Sequence, residues 1–389
     1  MKKIMLFVLA LCLCFTAFGA AFAETAATEA PSAEKPAAEM TAEELLYRRG
    51  KEVEQDLVKA AEYFQKALEL RADAPEILQA VDELAAALYE DGKAAMNAGD
   101  YEKAMEYCRL AADFGYSEAI KEIGNLYCYG LGVEPDDDKA FEYYQKAADL
   151  GNINAVNNLG NCYLEGRGVE KNEEEAVKYY TLAAEQGFAI AQNMLGRCYE
   201  YGLGVEQDYG KAFGYYQQAA GQGNTDAQHS LGLFYLNGIG VEQNDEEALK
   251  YIRMAAEQGN PEAQTSLGYC YAEGRGVTKD YGEAMKYFQL AAEQGSASAQ
   301  YDIGYNYRHG EGVEQDYGKA VEYFMLAAEQ GNPAAIFAVG DCYYLGEGVE
   351  KDLAKAAEWY QKSLDAGYKA DKEDEEHLKA VLGDEYQQK

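Results

Sequence analysis

The sequence predicts an all-α fold, a solenoid of stacked antiparallel helix pairs, and three observations carry that prediction. Gly151, Gly187, Gly223, Gly259, Gly295, Gly331 and Gly367 recur at a constant spacing of 36 residues, with Gly115 one unit upstream. Self-similarity at a fixed period of this length marks a repeat architecture in which each unit packs on its neighbours. Within a unit the apolar residues follow a helical period, as at Ala155, Leu159 and Tyr163, which share one helix face. Residues suited to helix N-caps, and glycines suited to helix ends, return at the same places in every unit.

The first helix of each unit opens directly after the closing glycine. Asn152, Asn224, Asn260, Ser296 and Asn332 stand there, each able to accept from a free amide of the first turn. Pro261 and Pro333 follow at the position where a missing N–H forfeits no helix bond. Inside the helix a glycine recurs, as Gly124, Gly160, Gly196, Gly232, Gly268, Gly304 and Gly340. A glycine within a helix costs about 1 kcal/mol against alanine, so its return in seven units predicts close backbone contact with a neighbour. The helix stops at Gly-x-Gly-Val, whose glycines supply the positive φ of a helix end and tight turn. Three residues past the valine stands Asp136, Asn172, Asp208, Asn244, Asp280, Asp316 or Asp352, the predicted N-cap of the second helix. That helix repeats an alanine, an aromatic three residues on, and a pair of alanines beyond, as in Ala284, Tyr287, Ala291 and Ala292. Alternating small and large positions let helices interlock.

Together these residues resemble the Sel-1-like repeat, a relative of the tetratricopeptide repeat. The resemblance covers seven units in register over residues 116–367, with two diverged units before them. It implies a right-handed α-solenoid that serves as a protein-binding scaffold. Some secreted relatives are described as binding or hydrolysing β-lactams, so the resemblance also implies an alternative, a β-lactam- or cell-wall-directed enzyme.

In chain order, residues 1–23 read as a secretory signal peptide: Met1-Lys2-Lys3, an apolar run from Ile4 to Phe18, and Ala21-Phe22-Ala23 before a cleavage point at Glu24. The run is too short for a membrane span with its usual flanks. Cys12 and Cys14 each follow a leucine, where a lipidation signal would want a small residue, and belong to the discarded segment. Residues 24–40 are rich in Ala, Glu, Thr and Pro without apolar period, the composition of a disordered linker. Two diverged units fill 41–115. In the first, Tyr47, Gly50, Val53, Asp56, Ala60, Tyr63, Phe64 and Ala67 keep the order of the regular unit. The second, from Ala74 to Gly115, turns at Asn97-Ala98-Gly99-Asp100-Tyr101. Residues 368–389 are charged, with Leu378, Val381 and Leu382 the apolar positions of a C-terminal capping helix.

The formal charge is −34, and −36 once Lys2 and Lys3 leave with the signal. So acidic a surface repels phosphate backbones and anionic lipid, which argues against nucleic acid and membrane as partners. The mature chain is expected to be a monomer, without a cofactor, in the periplasm or outside the cell. The histidines His229, His309 and His377 share no metal-ligand spacing, and no nucleophile elbow, Ser-x-x-Lys or phosphate-binding loop occurs. Asp136-Asp137-Asp138 falls on the recurring cap and is not followed by a calcium-loop spacing. Cys162, Cys198, Cys270 and Cys342 share one position; equivalent residues of stacked helices lie roughly 8–10 Å apart, too far for a bridge, so these read as small core residues. Cys108 and Cys128 lie on successive helices of adjoining units, where a secretory address permits a disulfide. The tyrosines sit mostly at repeat positions, as core packing requires.

The resemblance implies that first helices line the concave, partner-binding surface. With Ala155 at zero and about 100° per residue, the stripe Ala155-Leu159-Tyr163 centres near 40°, while Asn157 and Asn161 lie at about 200° and 240°. Two ladders are therefore expected to face a protein or peptide partner. One is Asn157, Asn193, His229, Thr265, Tyr301 and Phe337; the other is Asn161, Arg197, Leu233, Tyr269, Tyr305 and Asp341. They turn aromatic at Tyr269, Tyr301, Tyr305 and Phe337, residue types that binding hot spots favour. The acidic rim selects a basic partner.

Overall fold

The computed structural model of the chain describes Ala61, Gln65 and residues 75–383. The predicted signal, the linker and nearly all of the first diverged unit lie outside the described residues. The chain divides into two compact units, one ending at Tyr179 and the other beginning at Tyr180. The first holds α1 (Pro75–Asn97), α2 (Tyr101–Asp113), α3 (Ser117–Tyr129), α4 (Asp137–Asp149), α5 (Ile153–Glu165) and the start of α6 (Glu173–Glu185). The second holds the rest of α6 with α7 (Ala189–Tyr201), α8 (Tyr209–Gly221), α9 (Thr225–Asn237), α10 (Asp245–Glu257), α11 (Pro261–Glu273) and α12 (Tyr281–Glu293). It continues through α13 (Ala297–His309), α14 (Tyr317–Glu329), α15 (Pro333–Leu345), α16 (Leu353–Asp365) and α17 (Lys372–Leu382). Odd-numbered helices are the first of each pair and even-numbered ones the second; no strand occurs among the described residues. Each unit is thus a run of antiparallel helix pairs packed on their neighbours, an all-α solenoid.

The helices begin and end where the side chains require. Asp136, Asp208, Asp280 and Asp316 each accept the backbone N–H three residues on, at 2.9–3.0 Å. Asn152, Asn224, Asn260 and Asn332 do the same for first helices, at 2.8–3.0 Å. Such caps stabilise a helix by about 1 kcal/mol each. First helices end on a left-handed glycine, Gly238 at φ 66° among them. The second glycine of that turn meets the preceding pair: a Cβ on Gly240 would lie 2.7 Å from the Tyr209 carbonyl oxygen.

The mid-helix glycine makes the predicted close contact, against the residue that follows the aromatic singled out in the sequence. Built on Gly196, a Cβ would lie 2.6 Å from the Tyr216 ring; on Gly268 it would lie 2.5 Å from the Phe288 ring. Tyr216, Phe288, Phe324 and Tyr360 are at most 2 % exposed. The preceding aromatic plays another part, stacking on the tyrosine of its partner helix. Tyr199–Tyr215 and Tyr271–Tyr287 have ring centroids 5.7 Å apart, and Lys211 Nζ lies 4.9 Å from the Tyr199 ring centroid.

A polar seam in the second unit joins helices at their other end. Gln192, Gln228, Gln264 and Gln300, all buried, each accept from the glutamine 30 residues later at 2.7–2.8 Å. Gln228 Nε2 donates in turn to the Ala220 carbonyl of the preceding pair, at 3.4 Å.

All six described cysteines are free thiols. Cys108 turns into the α1–α2 interface, where a Cβ on Gly92 would lie 3.2 Å from its Sγ, while Cys128 lines a cavity beside Tyr144 and Cys162. The two thiols face different neighbours, and the permitted bridge is not formed. At the C-terminus α17 caps the second unit with Leu378 fully buried.

Candidate functional site

A first helix in these arrays is packed along more of its circumference than its own stripe reveals. In α5 the residues Ala155, Val156, Asn157, Leu159, Gly160 and Cys162 are all buried, an arc from about −20° to about 200° on the wheel used above. The face left open centres near 270°, on the positions of Asn154, Asn158, Asn161 and Glu165. One predicted ladder lies on this face. The other does not.

The ladder that begins at Asn157 is largely interior, which corrects the expectation. Asn157, Asn193, Thr265 and Phe337 are at most 7 % exposed, while His229 and Tyr301 are half-buried. The reason is the neighbouring pair. His229 Nε2 bonds Ser266 Oγ on the next first helix at 2.9 Å, and burial pushes the His229 pKa down. The Tyr301 ring packs on Phe324, centroids 5.6 Å apart, and burial pushes its phenol up to about 12. Phe337 is held between Tyr360 and Tyr368, with centroids at 4.9 and 4.6 Å.

The ladder that begins at Asn161 is the open one, with an exception at its end. In the first unit Asn161 lines a polar cavity of about 290 Å³ with Lys121, Asn125, Asn158 and Arg167. Several donors there are engaged: Lys121 with Glu122 at 2.6 Å, and Arg167 with the Cys128 carbonyl at 2.9 Å. In the second unit Arg197 is exposed and Leu233 half-buried. Tyr269 and Tyr305 are 41 and 42 % exposed. Asp341 is buried, a second correction. It accepts from Tyr360 Oη at 2.8 Å, His377 Nδ1 at 2.9 Å and Arg308 Nη1 at 3.3 Å, so it ties α17 to the array. The surface the sequence placed as far as Phe337 and Asp341 therefore narrows to Arg197, Leu233, Tyr269 and Tyr305.

The residue that sequence reasoning missed is Asp302, between the two exposed tyrosines. Tyr269 Oη donates to its Oδ1 at 2.7 Å, but its Oδ2 has no partner, although the residue is only 7 % exposed. Burial pushes its pKa up to about 7, against the lowering effect of the Tyr269 bond. Burial, followed by the nearby Asp302 charge, likewise raises the Tyr269 phenol. One signal was in the sequence: the equivalent positions are Asn158, Met194, Ser230, Ser266 and Ala338, so Asp302 is the only acid among them. Among the described residues no group of histidine, cysteine, aspartate or glutamate is arranged to hold a metal ion, and no helix is long and apolar enough to cross a membrane.

Comparison with known proteins bears on the whole array. The Sel1 repeat family matches residues 36–71, 79–116, 117–152, 153–188, 189–224, 225–260, 261–296, 297–332 and 333–368. Among solved structures, a protective antigen of uropathogenic Escherichia coli strains displaying an SLR fold is 36 % identical. It covers 78 % of this chain and 67 % of its own, with a TM-score of 0.59. A Sel1 repeat protein from Oxalobacter formigenes is 34 % identical over 62 % of this chain and 96 % of its own, with a TM-score of 0.56. No curated protein matched.

Proposed function

Because the chain belongs to the Sel1 repeat family, we propose that it is an exported scaffold that binds another protein through the open face of its first helices in the second unit. The single observation that carries this reading is the pair Tyr269 and Tyr305. They occupy the same register on α11 and α13, both about two-fifths exposed, where a merely solvated face would carry polar residues. The rest of the repeat explains its tyrosines by stacking within pairs, and these two stand outside that pattern. The net charge favours a basic partner. Export is supported by the basic start, apolar run and small-residue cleavage site of residues 1–23, and it is in keeping with the Escherichia coli relative's being a protective antigen.

Photo-cross-linking tests the face. A benzophenone amino acid at position 305, and at position 290 on a second helix as control, is irradiated in cells expressing the full chain. The reading expects one discrete adduct from position 305, identifiable by mass spectrometry and missing from position 290. The same adducts from both positions would refute it. N-terminal analysis of the exported protein tests the address, with Glu24 the expected first residue.

A further inference from the structure

The second unit contains a buried carboxylate that the fold leaves half unsatisfied. A buried polar atom without a partner costs about 1–3 kcal/mol, and more when charged. Native interiors therefore pair such groups, and exceptions call for a reason. Three residues of the second unit carry such atoms: Asn193 at Oδ1, Asp302 at Oδ2 and Asn306 at Nδ2. Asp302 alone among them is ionisable and sits at a position of the open face. It is flanked by Tyr269 on the preceding first helix and by Tyr301 and Tyr305 on its own, and Tyr269 Oη already holds the other oxygen. Tyr305 Oη and ring belong to a residue 42 % exposed, and such side chains change rotamer readily.

We propose that Asp302 anchors an arginine side chain of the protein partner, received between Tyr269 and Tyr305. The inference rests on the binding face proposed above and names what that face recognises. A guanidinium suits the site in three ways. It supplies the donor that Oδ2 lacks. Its plane stacks on tyrosine rings, and being weakly hydrated it enters a half-buried site more readily than an ammonium. The surroundings are complementary, since Glu262 and Glu273 flank Tyr269 on α11 and the whole chain is strongly acidic. The carboxyl stays partly protonated near neutrality in the free protein. An arriving cation stabilises its ionised form and the proton leaves to solvent. The stability lost by burying this acid is then recovered in the complex, as at other strained functional sites.

The probe is N-acetyl-L-arginine amide, titrated into the full mature protein at about physiological salt and about pH 8, with backbone amide shifts as readout. The expected result is saturable perturbation, in the millimolar range, confined to the amides of α13 and of the Tyr269 turn of α11. Asp302→Asn should weaken binding about tenfold or more. Tyr305→Ala should weaken it less, and the matching lysine amide should bind more weakly than the arginine one. Glu246→Gln, an exposed acid elsewhere, should change nothing. Perturbation scattered over the acidic surface without saturation, or an Asp302→Asn protein that titrates like the parent, overturns the anchor. Should the anchor fail while Tyr269→Ala and Tyr305→Ala still abolish capture of the cross-linked partner, the binding face stands and only its specificity is misassigned.

Discussion

The same chemical change at two glycines of one repeat should move stability in opposite directions. Gly196 and Gly214 are both helical glycines, in α7 and α8. Replacing either by alanine gains about 1 kcal/mol of helix propensity and reduces the freedom of the unfolded chain equally. The folded surroundings differ. A Cβ at Gly196 would lie 2.6 Å from Tyr216 Cδ1 and Cε1 and 3.1 Å from Cζ, and Tyr216 is fully buried with no room to retreat. At Gly214 nothing lies within 4 Å. Overpacking of a tight core costs typically about 1–3 kcal/mol. Gly196→Ala should therefore come out neutral to about 2 kcal/mol destabilised, and Gly214→Ala about 1 kcal/mol stabilised. Urea unfolding followed by circular dichroism gives both values against the parent. Two variants stabilised alike would show that the recurring glycine makes no packing demand, and the explanation of the repeat's spacing would fail.

Asp302 makes stability depend on pH with a definite sign. Its folded pKa of about 7 lies above the ordinary carboxylate value, so the folded chain binds more protons between about pH 4 and pH 7 and its stability falls as pH rises through that window. Asp302→Asn should match the parent near pH 4 and exceed it by about 2–4 kcal/mol near pH 8 in urea titrations; equal slopes would contradict the burial argument. Gln258→Ala removes the donor to buried Gln228 Oε1, 2.8 Å away, and should cost about 1 kcal/mol in the same assay. Cys108 and Cys162, whose thiols burial pushes up to about 12, should resist iodoacetamide in the folded protein and react in urea, as peptide mass mapping would show.

Most of the array was legible because its rules are local. Asp136, Asp208 and Asp280 cap helices by contact with amides three residues on, and Gly238 or Gly274 ends one by its own φ; neither needs knowledge of the rest of the chain. The glycine contact was inferred from a helix-propensity cost, although the ring that fills the space belongs to Tyr216 and not to its neighbour Tyr215. What the sequence hid depends on the adjoining pair. A wheel drawn from Ala155, Leu159 and Tyr163 sees one packed side. It cannot see that Asn157, Thr265 and Phe337 are covered from the next unit, so it set the open face about 50° from its place. Asp341 escaped for a related reason, since its partner His377 belongs to the cap and stands 36 residues away, one full repeat. The glutamine seam was visible as a spacing of 30 but has no meaning until two helix ends are brought together.

The central claim is that the open face of α11 and α13 binds a protein, and calorimetry on the Tyr269→Ala, Tyr305→Ala double variant tests it most directly. The partner identified by cross-linking at position 305 is titrated into parent and variant, with circular dichroism confirming that the variant is folded. Two central aromatic anchors at about 1–2 kcal/mol each predict an affinity lower by roughly 30- to 1,000-fold. An affinity unchanged in the folded variant would contradict the account and move the binding surface off the first helices.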